Sequence, residues 1–198
     1  MIYTIKKGQT DWRPRDRFRL LAGFDSLTWT VTPNKSMQFN YVDPITDKLD
    51  PDAFDWKKIG GISLVNWRNP WNAIMKDRDS IMMAWRWNPT LSVHEFAVYV
   101  NEAGDNIAYE NAGQLLRTIA GTRISMQITR QTHRNYRAAL YVDSQGPKSV
   151  NAFEIETRQR FGLYSLIGPW YGGKNNAPGP WGGAAPQDMT IDIEFNKT

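Results

Sequence analysis

Apolar residues alternate with polar ones in short runs along most of this chain, and helical periodicity is scarce. "SLTWTVT" sets Leu27, Trp29 and Val31 on one side and Ser26, Thr28 and Thr30 on the other. "SMQFNYV", "SIMMAWRW", "VHEFAVYV", "TRISMQIT", "RAALYV", "VNAFEIE" and "RFGLYSLI" repeat the pattern, and "MTIDIEF" closes the chain with it. A two-residue period is the signature of strands with one face inward. β-Branched and aromatic residues fill these runs, and "TPNK", "WNPT", "NEAGDN" and "DSQGPK" punctuate them as turns. Two stretches read as helical: Asp52 to Ile59 ("DAFDWKKI"), with Asp52 as its cap, and "ENAGQLLRTIA", which Gly113 weakens. Many short strands with little helix predict an all-β fold, a two-sheet antiparallel jelly-roll sandwich. With 198 residues and no linker or repeat, residues 1–198 form one domain in this reading.

Composition narrows the function more than it names it. No Cys is present, which excludes disulfides, thiolate metal sites and thiol nucleophiles. The net charge of +4 is spread out, with Asp11 and Asp16 diluting the arginines of "DWRPRDRFR". No basic stripe marks a nucleic-acid partner, and no apolar run is long enough to span a bilayer. The start, "MIYTIKKGQTDW", lacks the apolar core of a secretory signal. The expected location is a virion assembled in a host cytoplasm.

Three constellations invite chemistry. The closing "TIDIEF" resembles the one-faced carboxylate strand of laminarinase-type β-glucanases, but Thr190 stands where the nucleophile belongs, leaving Asp192 and Glu194 as an ordinary outward face. "RISMQITRQTHRNY" resembles the Arg, Gln, His and Tyr set of alginate-lyase-type sandwiches. Arg123, Gln127 and Thr129 share a face with His133 and Tyr136 nearby, yet Thr129 replaces the His of the Q-[IV]-H motif. His133 reads as a solvated turn residue, and His94 as a packed, hydrogen-bonded one. The acidic run Asp43, Asp47, Asp50, Asp52 and Asp55 offers oxygens to calcium, but two prolines break it and a solvated turn explains it equally. No metal and no cofactor are expected.

Aromatic surface remains. Trp67 and Trp71 lie among asparagines and arginines, whereas Trp85 and Trp87 alternate in phase with core residues. The stretch "GPWYGGKNNAPGPWGGAAPQDM" is dense in Gly and Pro yet carries Trp170, Tyr171 and Trp181 beside Asn175 and Asn176. Gly and Pro shape such a loop, and its rings hold a ligand, a partner or the loop's own sandwich. These seven residues are the predicted ligand- or partner-binding set.

The order of motifs is similar to that of a group of concanavalin A-like sandwich proteins from Bacteroidetes bacteria and their tailed phages. It runs from "IKKG" through "RDRFRLLAGFDSLTWT" and "SIMMAWRW" to "YSLIGPWYGG" and "APQDMTIDIEF". The group's closing pattern resembles L-x-P-Y-F-G-G followed by A-P-H-D-M. Here Trp170 and Tyr171 replace the Tyr-Phe pair, Gln187 replaces the second His, and Gln9 or Thr10 stands for an earlier one. The resemblance implies a twisted sandwich. Together with the missing catalytic set, it leads to an expected non-enzymatic virion protein, decorating a capsid or a fibre. Its partners would be other virion subunits or copies of itself. The alternatives are a carbohydrate-binding module and, behind it, a polysaccharide lyase or glucanase.

Overall fold

The computed structural model is described here for residues 1–10, 12–13, 19–39, 42, 55–64, 79–102, 105–108, 115–146, 151–156, 163–171 and 184–198. They form two antiparallel sheets. The first has the order β1 (Ile2–Ile5), β13 (Met189–Lys197), β3 (Ser26–Thr32), β9 (Ile124–Arg130), β10 (Asn135–Val142) and β11 (Asn151–Glu156). The second runs β2 (Arg19–Ala22), β12 (Leu163–Ile167), β4 (Lys57–Leu64), β5 (Ser80–Asn88), β6 (Val93–Glu102) and β7 (Asp105–Ala108). A short strand, β8 (Leu116–Thr118), also pairs with β6. This is the expected all-β sandwich.

The alternation does what it promised. Leu27, Trp29 and Val31 of β3 and Ile124, Met126 and Ile128 of β9 meet Ile81, Met83 and Trp85 of β5 and Phe96 and Val98 of β6 in one continuous core. Trp85 and Trp87 belong to that core, as their phase implied. Burying such side chains contributes about 1.5–3 kcal/mol each, which is what holds two sheets face to face.

Both expected helices are strands where they can be described. Lys57–Leu64 is β4, buried at every position, and Leu116–Thr118 is β8. A strand covered on both faces has no polar side to show, so "KKIGGIS" lacks alternation and mimics a short helix. "SMQFNYV" differs too: Lys35–Met37 is a 3-10 turn whose N-cap, Asn34, accepts the Ser36 N–H. Gly61 sits where a β-carbon would strike the Ile81 carbonyl, so β4 and β5 approach closely there. The register shift between Lys58 and Gly60 bends β4 beside it.

Candidate functional site

A half-buried sheet normally shows water a polar face. The outer face of the second sheet does not. Met82 and Ala84 of β5 and Ala97 and Tyr99 of β6 are buried there with Trp56, in a cluster separate from the main core. Register places the rest. Lys58 lies opposite Ala84, and Ala84 opposite Ala97, so two methyl groups form a low floor beside the Lys58 side chain. On one side of that rung, Arg86, Glu95 and Arg117 align across three strands. On the other side stand Met82 and Tyr99.

The charged groups are tightly arranged. Glu95 is fully buried; its Oε2 accepts from Arg86 Nε at 2.7 Å, and its Oε1 from Arg117 Nε at 3.0 Å and Asn88 Nδ2 at 3.2 Å. Burial alone would push the Glu95 carboxyl up, but the hydrogen bonds from Arg86, Arg117 and Asn88 outweigh it and hold the group below its ordinary range. Asn88 also accepts the Leu91 N–H in the β5–β6 turn, which ties the turn to the carboxylate. The Arg86 guanidinium lies 4.3 Å from the centre of the Trp56 ring. Lys58, only 7% exposed, donates from Nζ to the Trp56 carbonyl at 2.6 Å and lies 4.3 Å from the centre of the Tyr99 ring and 5.8 Å from that of Trp170. Among the described residues, these groups bring three cations, one carboxylate and three aromatic rings to the face. On the neighbouring rung, Asn101 donates to Ser80 Oγ, while its buried Oδ1 has no partner among the described residues.

The predicted ligand-binding residues divide sharply. Trp170 and Tyr171 are neighbours that face opposite ways. Trp170 bridges to Lys58 and is exposed, whereas Tyr171 is buried against Trp12 and Phe39 under the Lys57 ammonium. Trp67, Trp71, Asn175, Asn176 and Trp181 lie outside the described residues. Of the acidic run only Asp55 is described, and its Oδ1 accepts the Trp56 N–H.

Neither enzyme constellation weighed on the first sheet is assembled. Arg123 clasps both oxygens of Glu194 at 2.6 Å and reaches Asp143 at 2.9 Å, while Tyr136 points into the core and shares a hydrogen bond with the Tyr164 hydroxyl. Burial, the Tyr164 hydroxyl and its charge raise the Tyr136 phenol. Asp192 holds the Met1 amine, so both carboxylates of "TIDIEF" are engaged. His133 is exposed in a turn. His94 is packed, as expected, between Trp85 and Trp87, but neither ring nitrogen has a hydrogen-bond partner among the described residues.

Sequence reasoning missed Trp56, Lys58, Glu95, Tyr99 and Arg117. Part of the signal was there: in "WRWNPTLSVHEF" Arg86 and Glu95 stand symmetrically about the turn, which makes them a cross-strand pair in any tight hairpin.

No protein-family model matches the chain, and no curated protein matches it. Solved structures do. An alginate lyase from Pseudomonas aeruginosa superposes with a TM-score of 0.49 at 12% identity over 89% of this chain and 65% of the lyase, just under two thirds of its length. SCP-B, of the eqolisin peptidases, gives 0.46 at 9% over 89% and 76%, and scytalido-glutamic peptidase gives 0.44 at 10% over 89% and 72%. The fold itself is the two-sheet antiparallel sandwich that the strand order shows. The expected non-enzymatic virion protein is corrected by these comparisons, since the structures found are enzymes. The physical reason for the misjudgement is that only the first sheet's constellations were legible, and those are spent on ion pairs and core.

Proposed function

We propose that the chain is a carbohydrate-active enzyme of the lyase type, acting on an acidic polysaccharide at the outer face of the second sheet. One observation carries this reading: among the described residues, Lys58, Arg86 and Arg117 share that face with one carboxylate, Glu95, and with Trp56, Tyr99 and Trp170. Flat C–H faces of sugars stack on aromatic rings, and a net positive face attracts a polyanion. Exposed Arg117 and Trp170 stand at two ends of the row, with Lys58 and Tyr99 buried between them.

The chemistry follows from the groups present. β-Elimination from a uronate breaks the C5–H and C4–O4 bonds and forms a C4–C5 double bond, so it consumes no water. Arg117, held by Glu95, offers its outer guanidinium edge to the carboxylate whose α-proton leaves. The Tyr99 oxygen, as the phenolate, takes that proton and becomes the phenol, while the Lys58 ammonium gives one to the departing O4 and becomes the amine. The source suggested by the closing motif, a Bacteroidetes bacterium or its phage, is carried with this proposal.

The test is incubation with alginate, pectate and a neutral β-glucan, followed by the ultraviolet absorbance of unsaturated ends. Growth of that signal with a uronate polymer, lost by about a hundredfold or more in Tyr99→Phe and Lys58→Met, supports the reading. Intact uronate polymers after prolonged incubation retire it. Binding without cleavage replaces it with a carbohydrate-binding module.

A further inference from the structure

The outer face of the second sheet presents two exposed groups that stand far apart. Trp170 is 37% exposed, and the Arg117 side chain 56%. Arg117 uses Nε on Glu95, which leaves its two terminal nitrogens free among the described residues. Between these groups the row offers a ligand almost no surface. Ala84 and Ala97 are fully buried, Lys58 and Tyr99 nearly so, and the Lys58 ammonium is engaged by the Trp56 carbonyl. Register gives the separation. Trp170 bridges to Lys58, Lys58 pairs with Ala84, and Ala84 with Ala97 of β6. Arg117 lies one strand further, on β8. Four strand spacings put the two backbones about 19 Å apart.

That spacing sorts ligands by length. The Trp170 ring stacks on the flat C–H face of a sugar, and the free edge of Arg117 takes a carboxylate on two hydrogen bonds. A pyranose ring is about as wide as one strand spacing, so a disaccharide reaches one group or the other, and about four rings in line reach both. Once one end is held, the other meets its partner at an effective concentration in the millimolar range, and affinity rises without any new kind of contact. We infer that this face reads an acidic polysaccharide at two points, holding chains of about four sugars or more by a ring on Trp170 and a carboxylate on Arg117. Tyr99 on β6 and Lys58 on β4 lie between the two grips, so the bond that breaks lies inside the bound stretch rather than at a chain end. The inference rests on the uronate-polymer reading and adds the length that the substrate must have.

The experiment is a calorimetric titration of the full chain with saturated oligouronates of two, four and six units. Tyr99→Phe is carried throughout, which keeps the ring beside Lys58 while slowing turnover of the ligand. Four units should bind at least about tenfold more tightly than two, beyond the roughly threefold that the extra registers of a longer chain supply, and six units should add little more. Trp170→Leu and Arg117→Gln change exposed side chains, and thermal melts check that both variants fold. In each of them the ratio of the two affinities should fall to about threefold or less, because one grip is gone. The inference is overturned if four units bind no more than about threefold more tightly than two, or if either variant leaves the ratio unchanged. Binding at every length in those cases keeps the polysaccharide reading itself, whereas no binding at any length removes both.

Discussion

Lys58 and Trp170 exchange two backbone hydrogen bonds, Lys58 N–H to the Trp170 carbonyl at 2.8 Å and Trp170 N–H to the Lys58 carbonyl at 2.9 Å. The pair forms an isolated bridge three residues beyond the last β12–β4 pair, Ile167 and Gly61, and brings both side chains together on the outer face. Chain direction then sends Tyr171 the other way, into the core. Two adjacent aromatics in one loop thus carry separate duties.

Their substitutions should separate accordingly. Tyr171→Ala removes a ring that is 1% exposed and packs on Trp12 and Phe39, so it should cost about 3–5 kcal/mol in urea unfolding. Trp170→Ala, at an exposed position, should change stability by less than about 1 kcal/mol. It should instead weaken binding of a uronate polymer about tenfold by calorimetry. Equal losses of stability in both variants would show that Trp170 is only structural.

His94 predicts how stability responds to acid. Burial between Trp85 and Trp87 lowers its imidazole to about 4 from an ordinary 6.5. The unfolded chain therefore binds the proton first as pH falls. Stability is full above about 6.5 and declines toward 4, by roughly 3 kcal/mol in all. Glu95, held below its ordinary range, adds its own loss at the acid end, in the same direction. Few charged groups are near enough to complicate this. Trp85 and Trp87 flank the imidazole, Thr118 is its partner on β8, and Arg86, Glu95 and Arg117 occupy the adjoining rung on the opposite face. Urea melts from pH 7 to 4 should show the decline in the native chain and a flatter profile in His94→Phe. Parallel profiles would place the acid sensitivity elsewhere.

Much of the fold was readable and much of the site was not, for one reason. Strands with one solvated face, such as β3 and β13, declare themselves by alternation. β4 is buried on both faces, so Lys57, Lys58, Gly60 and Gly61 break the pattern that would have revealed it. The same burial hid the site, because charged groups on an enclosed face look, in sequence, like any polar residue of a strand. Arg86 and Glu95 were recoverable from hairpin symmetry. Lys58 and Trp170 were not, since nothing local links residues so far apart.

Gly61 tests the closeness of β4 and β5. A β-carbon there would meet the Ile81 carbonyl and lie 2.7 Å from the Met82 Cα, both backbone atoms that cannot swing aside. Gly61→Ala should therefore destabilise the chain by at least about 2 kcal/mol despite adding one methyl group. Gly121→Ala places its methyl group in open space, but at a φ of 88° it carries backbone strain, and should cost about 1–2 kcal/mol. Thermal melts of the two variants should rank in that order, and a harmless Gly61→Ala would mean that the two strands are further apart than described.

Glu95 decides whether the outer face is kept for stability or for function. Its side chain is 1% exposed and neutralises Arg86, itself 19% exposed, and one edge of Arg117. Glu95→Gln removes the charge that Glu95 sets against the largely buried Arg86 guanidinium, which should cost about 3–5 kcal/mol. Arg86→Met together with Glu95→Leu removes both charges and keeps the volume. Such replacements of buried ion pairs are often neutral or stabilising, so the double variant should melt within about 1–2 kcal/mol of the native chain. Arg117, half exposed, would then lose its anchor and its fixed orientation. If the network exists to aim Arg117 at a substrate carboxylate, the restored protein should still turn over uronate polymers at least about tenfold more slowly, mainly through a raised KM. Recovery of both stability and activity would show that the three charged groups serve the sheet alone.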